Sequence, residues 1–229
     1  MRSEQLTTDQ VLDVFSQELA TRGGKITETF NDGRRLFCRS VLPHADEVRP
    51  GDALHGGIAL KATDEQICVY PYTFRLICRN GAIRAEAVGS LCIEAVEQLD
   101  AYSTLQSIRE AIATCSAPEI FQNTITKMKS AAQVELDTAL NILPLLSHHK
   151  DLLGTDVFRQ IVERFFAEKD QTQFGLANAI TSLARDTADP EKRWNLEELG
   201  GGIAILAPTK LPKDSARAKP RHRALAPVA

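Results

Sequence analysis

Four arginines stand at positions that could bind nucleic acid. Arg35 and Arg39 flank Phe37 in one predicted strand. Arg75 and Arg79 end another. Because the side chains of a strand alternate between its faces, residues four apart share a face. If the two strands belong to one sheet, the four guanidinium groups line one side of it and can follow a phosphate backbone. The alternative is that these arginines cover a solvent-facing sheet or pair with acidic helices.

The C-terminal segment is a second basic feature. Residues 207–229 hold six basic side chains against one acidic side chain, and they lack any apolar period. This composition predicts a disordered tail. The tail could add a nonspecific electrostatic grip on nucleic acid, or it could serve only as a solubilising end. Its basic residues are Lys210, Lys213, Arg217, Lys219, Arg221 and Arg223.

Charge is unevenly distributed along the 229 residues, although the net charge is only −3. Residues 90–209 hold 10 Lys and Arg against 17 Asp and Glu, whereas residues 24–85 hold nine basic and seven acidic side chains. The sequence therefore predicts an acidic helical part, a mildly basic strand part and a basic tail, an asymmetry that bears on the choice of partner.

No motif argues for catalysis. Asp52 and Lys61 suggest a metal-dependent nuclease hairpin, but Ala59 stands where the second acidic metal ligand is expected. We therefore assign no catalytic residue. An unfamiliar active site stays open as an alternative, with Asp46, Glu47, Asp52 and His55 as its first candidates.

We predict neither a metal site nor a cofactor. His148 and His149 are adjacent and have no third ligand nearby, and His44 lies in another predicted loop. The odd number of cysteines and the lack of a CxxC pair favour small buried hydrophobic side chains in a reducing compartment. The cysteines are Cys38, Cys68, Cys78, Cys92 and Cys115.

The elements predicted to position the candidate residues begin with an N-terminal helix over 7–21, which is followed by hairpins in the sheet region 24–87. Thr7 and Gln10 have capping-box spacing. Asn31-Asp32-Gly33 predicts a hairpin turn, and Asn80-Gly81 a second tight turn with positive φ angles. Alternation in the strand up to Arg79 predicts that one of its faces is buried, with an edge position or a bulge at Pro71.

From Cys92 the apolar period changes to that of a helix. One long helix is predicted to Cys115, and a second from a Ser116–Glu119 capping box to Pro144. Shorter helices follow within the helical region 90–200, and the last of them is expected to end at Gly200-Gly201-Gly202. The fold class is α+β, with an antiparallel sheet of four to five strands followed by a long helical hairpin, in a single domain over 1–206.

The segment GIALKATDEQICVYPYTFRLICRNG resembles the signature of a phage/plasmid-like family of unknown function. The residues that carry this resemblance are Arg75, Cys78, Asn80 and Gly81, together with Asn178 and Thr181 of a helical Asn-Ala-x-Thr element. A histidine found after the Asn-Gly turn in that family is absent here. The resemblance implies a mobile-element context and no particular reaction.

Three functions follow as hypotheses. The first is a non-enzymatic accessory of mobile-element DNA metabolism that contacts single-stranded or duplex DNA, in binding or annealing, through the arginines and the tail. The second is a module that binds a host or phage protein, for example to counter defence, and that forms a homo-oligomer. The third is an enzyme with an unrecognised site. A cytoplasmic location without a membrane partner is expected, because no apolar run approaches about 20 residues.

Overall fold

The computed structural model describes residues 6–76, 79–85, 90–94, 100–136, 145–146 and 150–207. It confirms the α+β class: an N-terminal helix precedes an antiparallel sheet, and further helices follow. None of the helices in the described residues is long and apolar enough to cross a membrane. The helices are α1 Thr8–Thr21, α2 Ala101–Cys115, α3 Pro118–Ala131, α4 Lys150–Ala167, α5 Gln173–Arg185 and α6 Pro190–Ile205.

The sheet has seven strands in the described residues, and its main order is β1-β2-β4-β5-β6. The short strand β3 also pairs with β4, and β7 also pairs with β5. All pairs are antiparallel. The strands are β1 Lys25–Asn31, β2 Leu36–Val41, β3 Ala45–Glu47, β4 Ala53–Ala62, β5 Gln66–Arg75, β6 Asn80–Ile83 and β7 Leu91–Glu94.

Local signals at the N-terminus are confirmed. Thr7 and Gln10 form the capping box of α1 through reciprocal side-chain bonds. The first hairpin turns at Gly33, whose φ is +84°. The Asp32 carboxylate accepts hydrogen bonds from the backbone N–H groups of Arg34 and Arg35, so both arginines belong to the turn and β2 begins only at Leu36.

Helices cover both faces of the sheet. On one face, α1 and α2 pack over a cluster that includes Ile58 and Leu60 of β4. On the other face, Trp194 of α6 lies against Phe37 and Tyr70. The expected burial of one face only is therefore wrong for β5, because a sheet with helices on both sides is buried on both sides.

Pro71 lies in the interior strand β5, and the β4–β5 register passes through it without a shift, so the expected edge position or bulge is not found. The Pro71 carbonyl accepts a hydrogen bond from the Arg84 N–H. The N and carbonyl of a strand residue point to the same side, so the missing N–H of Pro71 falls between the parts of β5 that pair with β6 and with β7. The Arg84 carbonyl, which a backbone N–H at position 71 would have faced, accepts a hydrogen bond from the Ser90 hydroxyl at 3.1 Å instead, so proline is tolerated there.

The two long helices predicted after the sheet are shorter than expected. Cys92 belongs to β7, where it stands opposite Cys68 of β5, and α2 begins after an Asp100 cap. The α3 helix begins after Ala117 without a side-chain cap, so the expected Ser116–Glu119 capping box is wrong. Pairing with the edge of β5 outweighed the helical period of the segment around Cys92, as tertiary context commonly does.

The last helix continues through the three glycines that were expected to end it. The α6 helix extends to Ile205, and Gly200 and Gly201 form part of its buried side, whereas Gly202 is exposed. A Cβ atom at Gly201 would overlap the backbone carbonyl of Ile83, and one at Gly200 would press on the Thr181 side chain. These glycines let α6 approach β6 and α5 more closely than any side chain would allow.

Candidate nucleic-acid interface

Arg39 is buried in an ion pair instead of lying on an open sheet face. Its side chain is only 3% exposed, and its Nε donates to Glu197 Oε2 of α6 at 2.7 Å. Its Nη1 lies 4.0 Å from Glu28 Oε2 on β1. Arg39 therefore follows the alternative prediction, in which the arginine pairs with an acidic residue of a helix.

Arg193 completes a four-membered network of alternating charge. It donates to Glu197 at 3.1 Å and to Glu28 at 2.6 Å. Burial acts to lower the pKa of Arg39, but the charge of Glu197 outweighs it with the help of Glu28, so the pKa of Arg39 is raised. Burial, followed by the Glu197 charge, raises the pKa of the neighbouring Tyr72 well above 10. The network therefore stabilises a cation inside the fold, where it is not accessible to a ligand.

Arg75 is also engaged within the protein. Its Nε and Nη2 donate to the two carboxylate oxygens of Asp52, at 2.5 and 2.9 Å. Its guanidinium carbon lies 5.8 Å from the centre of the Phe174 ring of α5. This bidentate pair fixes the end of β5 next to the start of β4, a use that a tightly held arginine commonly has.

The strand register places Arg39 and Arg75 on opposite faces of the sheet. Arg39 stands opposite Ala59, and Ala59 opposite Tyr70. Arg75 is five residues from Tyr70 on the same strand, and residues an odd number apart point to opposite faces. The expectation that the four arginines line one side of the sheet is therefore wrong.

The other two arginines are accessible, but they lie at opposite ends of α6. Arg35 donates to Asp32 at 2.8 Å, and its guanidinium carbon lies 5.5 Å from the centre of the Phe30 ring. The hydrogen bond and charge of Asp32 raise the pKa of Arg35, and the charges of Asp189 and Glu191 at the start of α6 add to this effect. Arg79 is exposed and has a φ of +50°. Its neighbour Asn80 lines a cleft together with Ala204, near the end of α6. At 1.5 Å per residue, these two ends are about 20 Å apart.

The residues that carried the family resemblance converge on that cleft, although 97 positions separate Asn178 from Gly81 in the chain. Arg75, Asn80, Gly81, Asn178 and Thr181 all line it. Asn80 Nδ2 donates to Thr181 Oγ1 at 2.6 Å, and both side chains are buried. Thr181 of the Asn-Ala-x-Thr element therefore holds α5 against β6. Cys78 lies outside the described residues.

The turn before β6 differs from its prediction. Within the described residues, Arg79 is the non-glycine residue with positive φ, and neither Asn80 nor Gly81 has a positive φ. Gly81 is required for another reason, because a Cβ atom there would overlap the hydroxyl and ring of Tyr72. The Asn-Gly pair thus serves packing rather than turn geometry.

The catalytic candidates Asp46, Glu47, Asp52 and His55 lie in or next to the paired strands β3 and β4, but they form no metal-binding group among the described residues. No group of three or more His, Cys, Asp and Glu side chains in the described ranges could hold a metal ion. Asp52 binds Arg75, and Asp46 lies 3.4 Å from Lys129. His44 packs against Phe121 and its Nε2 lies 3.3 Å from the Ser116 carbonyl oxygen. His148 and His149 lie outside the described residues.

Two of the cysteines are paired, which corrects the prediction of unpaired thiols. Cys68 of β5 and Cys92 of β7 face each other in the strand register and form a disulfide. Cys38 and Cys115 remain thiols in the core. Burial raises the pKa of Cys38 to about 11 and that of Cys115 to about 12, so both thiols are protonated at neutral pH and poor nucleophiles.

The last described residue, Ala207, follows Ala204 by three positions, and Ala204 lines the same cleft as Asn80, the neighbour of Arg79. Gln173 Nε2 donates to the carbonyls of Ile203 at 2.7 Å and Leu206 at 2.9 Å, which fixes the end of α6. Lys210, Lys213, Arg217, Lys219, Arg221 and Arg223 lie outside the described residues.

The sequence analysis missed the buried charges on α6. Glu197 and Arg193 are spaced four apart and flank Trp194, which would have been a usable signal for a helix face that enters the core. The partner Glu28 lies 165 positions from Arg193, and nothing local indicates that contact.

A comparison of the chain with protein-family models, with curated proteins and with solved structures gave no match.

Proposed function

We propose that the protein is a non-enzymatic, nucleic-acid-binding accessory of mobile-element DNA metabolism, whose contact surface is Arg79 together with the basic segment 207–229. The observation that carries this proposal is the position of the chain exit. The segment with six basic residues begins at Ala207, three positions after Ala204, and Ala204 lines the same cleft as Asn80, the neighbour of the exposed Arg79. The mobile-element context rests only on the resemblance carried by residues 57–81 and by Asn178 and Thr181.

The geometry favours this surface over the sheet. Arg39 and Arg75 are held by Glu197 and Asp52, so using them for phosphate binding would take an ion-pair partner from each of these buried carboxylates. Removing a partner from a buried charge costs several kcal/mol. Arg79 carries no such cost, because its side chain is exposed.

The expected binding is electrostatic and largely independent of sequence. Lysine and arginine side chains on an extended segment neutralise phosphates and release counterions, which supplies affinity without base recognition. Phe174, the aromatic side chain that lines the cleft next to Arg79, is only 2% exposed, so base stacking is not part of the proposal.

The test is the salt dependence of binding to labelled single-stranded and duplex DNA. The logarithm of the association constant should fall linearly with the logarithm of the salt concentration, with a slope of about −0.9 for each phosphate contact on duplex and about −0.7 on single strands. Arg79→Ala should reduce the slope by about one contact. Removal of residues 208–229 should reduce it by several contacts.

Arg34→Ala is the matched control. Arg34 has an 83% exposed side chain and lies at the opposite end of the fold, in the first hairpin turn. Its substitution should leave the slope unchanged. Absence of binding at low salt would refute the proposed function. A slope that responds to Arg34→Ala as strongly as to Arg79→Ala would refute the proposed surface.

A further inference from the structure

A small internal cavity lies between β5, β6 and the start of α3. Two polar side chains line it on the sheet side: Thr73 of β5, and Arg84, which directly follows β6. Main-chain and side-chain atoms of α3 close the opposite side. The residues that line it and matter here are His44, Thr73, Arg84, Cys115, Ile120 and Thr124.

Arg84 enters this cavity as a buried cation with an unused donor. The residue is 3% exposed, and its Nη1 donates to the Ile120 carbonyl at 3.1 Å. Its Nε has no acceptor among the described residues. Buried guanidinium groups are ordinarily paired with carboxylates, so an acceptor is missing from the protein itself.

Thr73 supplies a second unused donor on the same side. It is also 3% exposed, and its hydroxyl has no partner in the described part of the chain. Thr73 stands opposite Ala82 in the ladder, and the Arg84 N–H bonds to the Pro71 carbonyl. Thr73 and Arg84 are therefore diagonal neighbours on one face of the sheet, close enough to share one ligand.

The lining provides no negative charge. It contains neither Asp nor Glu, and its thiol, Cys115, has a pKa raised to about 12 by burial and is neutral at physiological pH. Burial lowers the pKa of Arg84 to about 10, so the guanidinium stays charged at neutral pH in surroundings that penalise the charge. One positive charge is thus left without a counter-charge in the cavity.

We propose that this cavity binds one small monovalent anion of chloride size, held by Arg84 Nε and the Thr73 hydroxyl. The size follows from the space available, since the cavity has room for about one water-sized sphere. A tetrahedral phosphate or sulfate is too large without rearrangement of α3. The cavity includes neither Arg79 nor the chain exit, so the anion site is independent of the proposed DNA contact.

Thermal unfolding in sodium salts at constant ionic strength tests the proposal. Gluconate, which is too bulky for the cavity, is replaced stepwise by chloride or bromide. A ligand that binds only the folded state raises Tm in proportion to the logarithm of one plus its concentration over Kd. Chloride and bromide should therefore raise Tm along that curve. A Tm that is the same in gluconate and in halide would overturn the proposal.

Two variants and one control assign the effect to the cavity. Arg84→Met should abolish the halide dependence of Tm. Thr73→Val, which keeps the shape and removes the hydroxyl, should weaken halide binding several-fold, and it provides the test if Arg84→Met does not fold. Arg159→Met, at a side chain that is 66% exposed, should retain the full effect. Equal halide dependence in Thr73→Val and the parent would overturn the assignment.

Crystals grown in sodium bromide give a direct readout. An anomalous bromide peak within hydrogen-bond distance of Arg84 Nε and Thr73 Oγ1 is the expected result. A water molecule at that position, without an anomalous signal, would overturn the proposal even if Tm responds to halide.

Discussion

The Arg39–Glu197 ion pair gives a stability prediction in which the two partners are not equivalent. Both side chains are at least 97% buried. Removing one member of a buried pair costs about 3–5 kcal/mol, because the other charge stays buried without compensation. The cost therefore depends on what each partner retains when the other is removed.

The remaining contacts set the order of the two effects. In Arg39→Met, Glu197 keeps its 3.1 Å bond from Arg193. We therefore expect the free energy of unfolding to fall by about 3 kcal/mol, the lower end of that range. In Glu197→Met, Arg39 keeps only Glu28 at 4.0 Å, and its Nη2 already lacks an acceptor in the described residues. We expect a loss near the upper end, about 5 kcal/mol.

The double variant Arg39→Met/Glu197→Met should lose less stability than Glu197→Met alone. No uncompensated charge remains in it, since Arg193 and Glu28 still pair at 2.6 Å, and apolar replacement of a buried ion pair is often neutral. Equilibrium unfolding in urea measures the free energy of unfolding for all three variants, and the m-value checks that the transition is unchanged. Arg159→Met serves as control, because its exposed pair with Asp156 contributes at most about 1 kcal/mol.

Two outcomes would refute this reasoning. If the losses in the two single variants simply add in the double variant, the side chains are not coupled and the network does not act as a unit. If Arg39→Met costs less than Arg159→Met, Arg39 is not held in the fold, and the sheet face regains its place as a candidate interface.

Further predictions concern packing and the cysteines. Gly81→Ala should cost about 1–3 kcal/mol in urea unfolding, because the new methyl group overlaps the buried Tyr72 ring. Gly202→Ala in the helix α6 is the matched control and should be neutral or slightly stabilising, since nothing lies within 4 Å of its added Cβ; equal losses in the two variants would contradict the packing argument. Digestion under non-reducing conditions should release the peptides of Cys68 and Cys92 as one cross-linked species that separates on reduction, and recovery of both as free thiols would contradict the pairing. The DNA and halide experiments described above complete the set.

Sequence patterns located those features that depend on neighbouring residues. The capping box at Thr7 and the turn at Gly33 are local, and each predicted its element correctly. The segment around Cys92 is the instructive exception. Its apolar spacing fits a helix, yet it pairs with β5, because four residues of ladder on an open strand edge outweigh a weak local preference.

The candidate site depended on contacts that no local pattern encodes. Both sequence motifs were recognised separately, but only the fold shows that Asn80 donates to Thr181, 101 positions away. The same holds for Arg39 and Glu197, which are 158 positions apart. Alternation placed Arg39 and Arg75 correctly on their own strands, and the register between strands then put them on opposite faces.

The sequence by itself determined the α+β class, the first hairpins and the basic character of residues 207–229, because composition and short-range spacing act on a few neighbouring residues. Tertiary structure alone decided which charges are available. Helices that cover both faces bury Arg39 and Arg84 and leave Arg79 exposed. Burial converts an arginine from a solvated surface charge into one that requires a partner, and partners are assigned by packing, which is long-range in the chain.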